Sequence, residues 1–287
     1  MSTGLDMYLR GADEAGLLGR FAGSPYVAGS YEEPVRSELQ YLVTYVDPDL
    51  AASCAWWAEL PQIARTADPA TRAVVARVAS DHRLPTPWHR YITYLSYDGA
   101  AAAPFEAGDH APDLPEVVPA GPEHEGRIGS WLEVALSDAA FAHGVEDPRP
   151  PEDVVKSLLN HPGRASFVVL LDGAPAGHAT VVCGEQDDVT GEPIAELLDI
   201  LVEAPSADRR RATTALVAAA ARHAVARRLP LIGNVVHTLT GEVDPGEQVV
   251  AALRSQGWCP DHVLWWLALG EPAEAAGTFA HREDTGR

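Results

Sequence analysis

Residues 196–229, ELLDILVEAPSADRRRATTALVAAAARHAVARRL, join an apolar run, a proline turn, three arginines and a long alanine-rich pattern. The pattern predicts a strand at 196–202 that leads through a short polar loop into a helix at 209–228. Such a crossover brings free backbone N–H groups and the positive end of a helix dipole to one point. The stretch therefore predicts a phosphate site, around which the rest of a domain is built.

The composition is that of a soluble, strongly acidic chain. Its 287 residues have a formal net charge of -20, which argues against nucleic acid or an anionic membrane as a partner and is compatible with a cationic amine substrate. No apolar run approaches the length of a membrane span, and the first residues lack a secretion signal. The scattered Cys54, Cys183 and Cys259 suggest reduced thiols in a cytoplasm and no metal site.

Residues 1–98 predict a smaller α/β domain. Strands are expected at 37–46 and 89–97, where β-branched and aromatic residues alternate with others. Helical spacing predicts helices at 50–66 and 70–82, with Pro61 kinking or splitting the first. Residues 99–113 have no sustained period and predict a linker, and the polar residues 271–287 predict a flexible tail.

Residues 114–270 have a more regular pattern. The expected strands cover 116–119, 166–171, 177–183, 196–202, 231–236 and 263–269. The expected helices cover 123–140, 151–159, 209–228 and 246–256. Asp172-Gly173 predicts a hairpin between the second and third of these strands. The order β-α-α-β-β-β-α-β-α-β predicts a mixed sheet with helices on both faces.

Three segments resemble the GNAT acyltransferase superfamily. AELLDILVEAP at 195–205 is similar to the fourth strand of that family and its proline turn, and RRRATTALVAAAARHA at 209–224 is similar to its phosphate-loop helix. GEQVVAALRSQGW at 246–258 matches its late helix, which ends in glycine and an aromatic residue. The resemblance implies a mostly antiparallel, twisted GNAT-like sheet over residues 114–270.

The same resemblance implies acetyl-CoA or another acyl-CoA as co-substrate, held where the fourth and fifth strands splay apart. Backbone groups of Leu201 and Val202 would pair with pantetheine. The pyrophosphate would bind the loop made, by position, of the following residues: Arg209, Arg210, Arg211, Ala212 and Thr213. Transfer would be direct, in a ternary complex with a small amine.

The sequence departs from the family at three positions. Arg211 or Ala212, depending on the alignment, stands where the phosphate loop has its central glycine, and a side chain there obstructs approach of the backbone to phosphate. Leu253 stands where the family has a tyrosine acid, and leucine has no proton to donate. Gly246 replaces a common asparagine. Either the arginine side chains hold the phosphates, or the fold has another use.

Few groups are candidates for acid–base chemistry. Glu196 matches a carboxylate found at the start of the family's fourth strand, and Asp199 lies three residues further on, so a regular strand would point the two to opposite faces. His178 and His237 are alternatives, although a lone histidine is more often structural. Cys259 near His262 would need a base in contact to act as a nucleophile.

The N-terminal part also contains weak echoes of the C-terminal part. SELQYLVTYVDP at 37–48 resembles AELLDILVEAP at 195–205, and DPATRAVVA at 68–76 resembles DPGEQVVA at 244–251. These matches predict either an eroded second GNAT-like half or an unrelated cap, and in both cases residues 1–98 would shape the substrate site.

Three functions remain open on the sequence. The first is N-acetylation of a small amine by a monomer or homodimer. The second is a repurposed GNAT-like enzyme with another donor or none. The third is a non-catalytic binding protein.

Overall fold

The computed structural model describes residues 3–33, 36–97, 114–146, 148, 152–239 and 244–270. The predicted linker at 99–113 and tail at 271–287 lie outside the described residues, so the predicted domain boundaries stay predictions. Within the described ranges, none of the helices combines the length and apolarity that crossing a membrane requires.

The N-terminal half, up to residue 97, consists of three helices and five strands in its described part. They are α1 (Thr3–Glu14), β1 (Leu18–Phe21), β2 (Ser24–Glu33), β3 (Glu38–Val46), α2 (Pro48–Ala51), α3 (Cys54–Ala67), β4 (Ala73–Ala79) and β5 (His89–Tyr97). The C-terminal half follows from residue 114. It comprises β6 (Glu116–Pro119), α4 (Glu125–Ala142), α5 (Glu152–Leu159), β7 (Arg164–Leu171), β8 (Ala174–Gln186), β9 (Pro193–Val202), α6 (Ser206–Ala226), β10 (Leu231–Val236), α7 (Pro245–Arg254) and β11 (Trp258–Ala268).

The predicted order of elements in the C-terminal half is confirmed, with ends that shift by a few residues. The hairpin at Asp172-Gly173 is present, and both residues have positive φ angles of 50° and 77°. β8 and β9 are longer than predicted, which shortens the polar loop between them to residues 187–192. Pro61 lies inside a continuous α3; the chain breaks earlier, where Ser53 caps α3.

The helix predicted at 70–82 is wrong, because residues 73–79 form strand β4. Its sequence, AVVARVA, has three β-branched valines and is buried on both faces. A strand covered on both faces loses the alternation that marks an exposed strand, so its apolar run is easily taken for a helix. The strands and helices of residues 3–33 were not predicted individually.

The strands of the described residues belong to one sheet of 11, in the order β1-β2-β3-β4-β11-β5-β10-β9-β8-β7-β6. Among the described strands the only parallel neighbours are β3 with β4 and β9 with β10, and every other pair is antiparallel. The predicted fold class, a mixed and mostly antiparallel α/β sheet, is therefore confirmed.

The two halves exchange their last strands. β11, from the C-terminal half, lies between β4 and β5, and β5, from the N-terminal half, lies between β11 and β10. Thr93 and Val263 are register partners at the centre of the β5–β11 pair. Each exchanged strand therefore has both of its neighbours in the other half, so separating the halves would break the strand pairs on both of its sides.

Pairing registers reveal a pseudo-twofold axis beside Thr93 and Val263. The β5–β11 pair has one irregularity at Tyr91 and one at Asp261, each two residues from the centre of the pair. The Tyr91 carbonyl accepts a hydrogen bond from His237 N at 2.9 Å, and the Asp261 carbonyl accepts one from Ser80 N at 3.2 Å. Matching irregularities with matching hydrogen bonds support the predicted second GNAT-like half.

The axis also corrects the predicted sequence repeat. β3 and β9 are equivalent strands, as proposed, but their bulges equate Thr44 with Leu198, whereas the sequence match equates Thr44 with Val202. The second match is wrong, because residues 73–76 lie in strand β4 while 245–251 lie in helix α7. Short Ala/Val-rich segments match by composition without sharing a structure.

Each half has its own core on the same face of the sheet. α3 covers a core of Val43, Val74, Val263 and Trp265, and α6 with α7 covers a core of Leu95, Leu197, Leu231 and Val250. α4 and α5 pack on the opposite face of the C-terminal half, over Val168 and Leu201. The opposite face of the central strands stays partly open and forms the trough described below.

Candidate active site

β9 and β10 splay apart, as the sequence analysis requires of an acyl-CoA site. They are paired at Ala195–Leu231, Glu196–Ile232 and Leu197–Gly233, and no register pair joins them beyond that point, although both strands are described to their ends. β9 stays paired with β8 as far as Val202, and β10 stays paired with β5 as far as Val236. Their facing edges therefore border a V-shaped gap that includes the predicted Leu201 and Val202.

A bulge at Leu198 corrects the predicted orientation of the two carboxylates. Val181 pairs with Leu197 and Thr180 pairs with Asp199, so the bulge inserts one extra residue into β9. An extra residue shifts the alternation of side chains by one position. Glu196 and Asp199 therefore lie on the same face of the sheet, opposite α6, and the prediction of opposite faces is wrong.

A cavity of about 660 Å³ forms a trough on this face. Both halves contribute: Leu42, Thr44, Arg77, Tyr94 and Ser96 come from the first, and Ile194, Glu196, Ile232, His262 and Leu264 are among those from the second. One wall is the acidic end of β8 and the loop that follows it, with Glu185, Asp187, Asp188 and Glu192. The prediction that residues 1–98 help to shape a pocket of the C-terminal half agrees with this lining.

Glu196 is the predicted catalytic residue that lies in the trough. Burial raises the pKa of its carboxyl group, and the neighbouring charges of Glu185 and Asp188 raise it further. Removal from water and repulsion by like charges both favour the protonated form. A carboxylate with a raised pKa is better suited to accept a proton near neutral pH than an ordinary glutamate.

Two of the charged pairs that line the trough are already engaged with each other. Arg77 binds Asp187 at 2.6 Å, and His262 Nδ1 lies 2.6 Å from Asp261 Oδ2. The His262 ring stacks on Tyr94, with 4.4 Å between ring centroids and 15° between planes. Burial and the charge of Glu196 raise the pKa of Tyr94 to about 12, so its hydroxyl keeps its proton. These contacts engage His262 away from Cys259, so the thiol nucleophile gains no support.

Asp199 lies outside the trough, beneath α4. Its Oδ2 is 3.1 Å from Nε2 of His178, a distance without good hydrogen-bond geometry, since both atoms lack a bonded partner. His178 is fully buried, stacks on Trp131 at 5.2 Å and contacts the Thr180 hydroxyl at 3.2 Å. Because Glu196 lines the trough and Asp199 does not, Glu196 is better placed than Asp199 to meet a substrate.

The start of α6 differs in detail from the predicted phosphate loop. The helix begins at Ser206, three residues earlier than predicted, and its N-cap residue Pro205 has no side-chain cap. Arg209 N already bonds to the Pro205 carbonyl at 2.8 Å. The N–H groups of an uncapped first turn have no partner within the helix, so those facing outward belong to residues 206–208.

The three predicted arginines lie in the second turn with exposed side chains. Arg211 is 3.6 Å from Asp208, which places a carboxylate in the first turn. Of the other predicted loop residues, Ala212 is buried and Thr213 is half-buried. The predicted cofactor-binding residues therefore offer guanidinium groups rather than backbone donors.

The late helix carries no proton donor at the usual position. Leu253 packs against the core beneath α6. Gly246 is required by close packing, because a Cβ atom there would lie 2.8 Å from His237 Nδ1. His237 is fully buried between Asp244, at 2.6 Å, and the Thr93 hydroxyl, at 2.8 Å.

His237, Asp244 and Glu247 bring their ligand atoms within 4.8 Å of one another. Sequence reasoning missed this group because its members are separated by a loop. Asp244 already holds His237 and accepts from Gly246 N as the cap of α7, and Glu247 pairs with Arg90. The group is therefore engaged in contacts that fix α7 against β5 and β10.

The corresponding region of the N-terminal half is closed. β3 and β4 also part, after Val43 and Ala76. However, the Ser53 side chain caps α3 by accepting from Trp56 N. Trp56 is fully buried and contacts Trp57. By the pseudo-twofold, the position of Glu196 is occupied there by Leu42.

The unpaired ends of the parallel strands β9 and β10, the bulge beside them and the helix that follows agree with the GNAT-like fold expected from the sequence. No model of a protein family matches the sequence, and no curated protein matches it. Solved structures with a similar chain path include a tandem GNAT protein from the clavulanic acid biosynthesis pathway, 17% identical, with a TM-score of 0.45 over 88% of this chain and 81% of that one.

Two further solved structures have a TM-score of 0.48. One is a GNAT-family acetyltransferase from Colwellia psychrerythraea, 12% identical, covering 85% of this chain and 80% of its own. The other is a functionally unknown conserved protein from Staphylococcus epidermidis, 9% identical, with the match covering 79% of this chain and 82% of that one. Similarity at this level concerns the path of the chain and says nothing about substrate.

Proposed function

We propose that the protein is an acyl-CoA-dependent acyltransferase that acylates a small amine bound in the trough. One observation carries the proposal: the gap between β9 and β10 closes at Leu197 and Gly233, and the adjacent Glu196 lines the trough. A thioester entering the gap would meet an amine held in the trough. Glu196 lies where the two would react.

The donor would be held at the open end of the gap. The uncapped first turn of α6 offers N–H groups to a pyrophosphate, and anions are stabilised at a helix N-terminus. Arg209, Arg210 and Arg211 supply positive charge from exposed positions, whereas Asp208 opposes it. The charge of the arginine side chains thus takes the place of the close backbone contact that the central glycine permits in the phosphate loop of the GNAT family.

The reaction is a direct transfer. The neutral amine nitrogen attacks the thioester carbonyl carbon, a C–N bond forms, and the C–S bond breaks. Glu196 takes the proton that the nitrogen loses, directly or through water, and the departing thiolate takes a proton from solvent. General base catalysis of this type contributes roughly 10²–10⁴-fold in rate.

Calorimetry with acetyl-CoA tests the donor site. We expect micromolar binding that weakens at least about tenfold in the Arg209→Ala/Arg210→Ala/Arg211→Ala variant, since hydrogen bonds to charged groups contribute about 1.5–3 kcal/mol each. The matched control is Arg222→Ala/Arg227→Ala/Arg228→Ala, which removes three exposed arginines from the other end of the same stretch. Absence of binding by any acyl-CoA contradicts the proposal.

A second candidate is an amine-binding protein with another donor or none. The partly buried Leu253 and the carboxylate of Asp208 favour it, because Leu253 has no proton to donate and Asp208 places a negative charge beside any phosphate. Under this candidate an amine binds the trough while acetyl-CoA does not bind at all. The same calorimetric series therefore separates the two.

A further inference from the structure

The proposed transfer has no proton donor on the late helix. The departing thiolate needs a proton, and Leu253, which packs against the core, has none to donate. In the reaction as written above, the proton comes from solvent. A hydroxyl held beside the closing point of the gap would supply it more directly, because a positioned donor does not require water to enter.

Pairing registers place Tyr94 of β5 at that point. Glu196 is level with Ile232 of β10, and Ile232 is level with Ser96 of β5. Tyr94 lies two residues from Ser96 in a pair without irregularities, so its side chain and that of Glu196 lie on the same face of the sheet. Both residues line the trough.

The step from Ser96 to Tyr94 leads towards the open end of the gap. Tyr94 pairs with Asn234, the first residue of β10 beyond its last pair with β9. Pantetheine would enter from the open end, so the sulfur of a bound thioester would lie on that side of its carbonyl carbon. Along the strands Tyr94 is about 7 Å nearer the open end than Glu196, which is the side on which a donor to the sulfur has to lie.

The ring of Tyr94 is supported from the side away from the gap. His262 of β11 stacks on it with 4.4 Å between ring centroids, and Asp261 holds His262 at 2.6 Å. Because β11 and β10 flank β5 on opposite sides, the stack opposes any lean of the ring away from β10. Stacking occupies a face of the ring and leaves the hydroxyl at its edge, which has no hydrogen-bond partner among the described residues.

Two other hydroxyls lie on strands that line the trough, and both are engaged. Thr44 Oγ1 is 2.5 Å from the Tyr8 hydroxyl. Ser96 donates to the Cys259 carbonyl at 3.4 Å. Of the hydroxyls that the described strands present to the trough, that of Tyr94 is therefore the one left to meet a ligand.

The charges of the trough couple Tyr94 to Glu196. Burial is the main cause that raises the pKa of Tyr94 to about 12, and the charge of Glu196 comes next; Arg77 lowers this pKa and Asp188 raises it. Once Glu196 has taken the amine proton its charge is gone, and the pKa of Tyr94 falls. Burial also raises the pKa of a thiol that forms in the same site, so the shift that remains affects donor and acceptor alike.

We propose that Tyr94 is the proton donor to the departing thiolate. The exchange of strands thus lets the N-terminal half supply the acid that the late helix of the C-terminal half lacks. As the C–N bond forms and the C–S bond breaks, the amine proton passes to Glu196 and the tyrosine proton to sulfur. Solvent then returns a proton to Tyr94 and takes one from Glu196. The inference rests on the proposed function for this reaction, whereas contact between hydroxyl and sulfur is measurable without turnover.

Calorimetry with CoA and with desulfo-CoA tests the contact. We expect the parent protein to prefer CoA by about threefold or more, as one hydrogen bond would give, and the preference to vanish in Tyr94→Phe, which keeps the stacked ring. Tyr45→Phe removes a hydroxyl from β3 outside the trough lining and should keep the preference. A preference that is absent from the parent protein, or unchanged in Tyr94→Phe, overturns the proposal.

Transfer assays separate this inference from the proposed function. With acetyl-CoA as donor and butylamine, tyramine or spermidine as acceptor, kcat should fall about 10²-fold in Tyr94→Phe while acetyl-CoA affinity is unchanged. A fluorinated tyrosine in place of Tyr94, with its more acidic hydroxyl, should keep turnover and move the alkaline limb of the kcat profile to lower pH, which a structural role would not do. Full kcat in Tyr94→Phe supports the acyltransferase and rejects Tyr94 as donor. Absence of transfer by the parent protein to all these amines contradicts the proposed function, and the donor role with it.

Discussion

The two halves of the molecule share a strand plan but differ at the three places where a GNAT-type site would be built. The C-terminal half has an uncapped helix start, a glutamate beside the closing point of the gap, and a cavity in front of it. The N-terminal half has a helix capped by Ser53, Leu42 in place of the glutamate, and a tryptophan cluster packed below α3. The C-terminal half therefore carries the features of the proposed site, and the N-terminal half lines part of the trough.

The two halves therefore contribute differently to the core and to the trough. The buried tryptophans strengthen the N-terminal core, because large aromatic side chains contribute most to packing. The same half lends Tyr94 and Arg77 to the trough. The N-terminal half thus contributes both a separate core and part of the trough lining, and the following variants test this arrangement.

The largest expected effect comes from Trp265, a residue of the C-terminal half buried in the N-terminal core. Trp265→Ala should lower the free energy of unfolding by about 3–5 kcal/mol, as for other large aromatic residues in cores. Urea unfolding, followed by fluorescence and circular dichroism, measures it. If the halves depend on each other, both probes report one transition; two separate transitions would argue against the exchange of strands. Val225→Ala, at an exposed site on α6, is the control.

Glu196→Leu gives the C-terminal half the residue of its N-terminal counterpart. Without the proton acceptor, kcat for acyl transfer should fall about 10²-fold or more. The affinity for acetyl-CoA should not change, because Glu196 lies on the trough side of the gap. Steady-state kinetics and calorimetry measure the two quantities, with Glu196→Gln as the variant of similar shape. A variant that retains full kcat would remove Glu196 from the mechanism.

The seam between the halves should weaken in acid. His143 at the end of α4 stacks on Tyr91 of β5 at 3.9 Å, and burial lowers the pKa of His143 to about 4. Because the unfolded chain binds this proton with a pKa near 6.5, stability present at pH 7 is lost as pH falls from about 6.5 towards 4, by about 2 kcal/mol at pH 5. Urea titrations at the two pH values measure it.

His143→Phe keeps an aromatic ring against Tyr91 and has no proton to gain. In this variant the difference between pH 7 and pH 5 should shrink by the same amount. An undiminished difference would assign the acid sensitivity to other groups.

The smallest expected effect concerns the side-chain N-cap, which α3 has and α6 lacks. Ser53→Ala should cost about 1 kcal/mol of stability, the usual contribution of a serine N-cap. Thermal or urea unfolding detects this change, and acetyl-CoA affinity serves as the second measurement. Affinity should stay as in the parent protein, since this helix start is closed to ligands; a change in affinity would place a donor at the N-terminal half instead.

Local patterns were sufficient to predict most of the C-terminal half. Its strands and helices follow one another in the predicted order, and Asp172-Gly173 marks a hairpin that is present. The splay of β9 and β10 followed from resemblance rather than from any local signal. β4 was missed because its valines, buried on both faces, have no two-residue period.

The trough could not be predicted from the sequence, for a different reason. Its walls come from strands that are far apart in the chain and meet only because β5 and β11 are exchanged, so spacing does not relate Tyr94 to Glu196. The bulge at Leu198 was equally hidden, since a single inserted residue has no composition of its own, yet it decides which face Asp199 takes. The place of the loop at 187–192 beside the trough likewise depends on tertiary contacts.

The exchange of the final strands also determines when each half of the sheet can be completed during translation. About 170 residues separate Tyr97 at the end of β5 from Ala268 at the end of β11, so at roughly 5–20 residues per second the ribosome needs on the order of ten to thirty seconds to supply the missing strand. During that interval β4 and β5 lack the neighbour that later joins them, and unpaired strand edges invite pairing with other chains. The N-terminal half is thus made first but completed last.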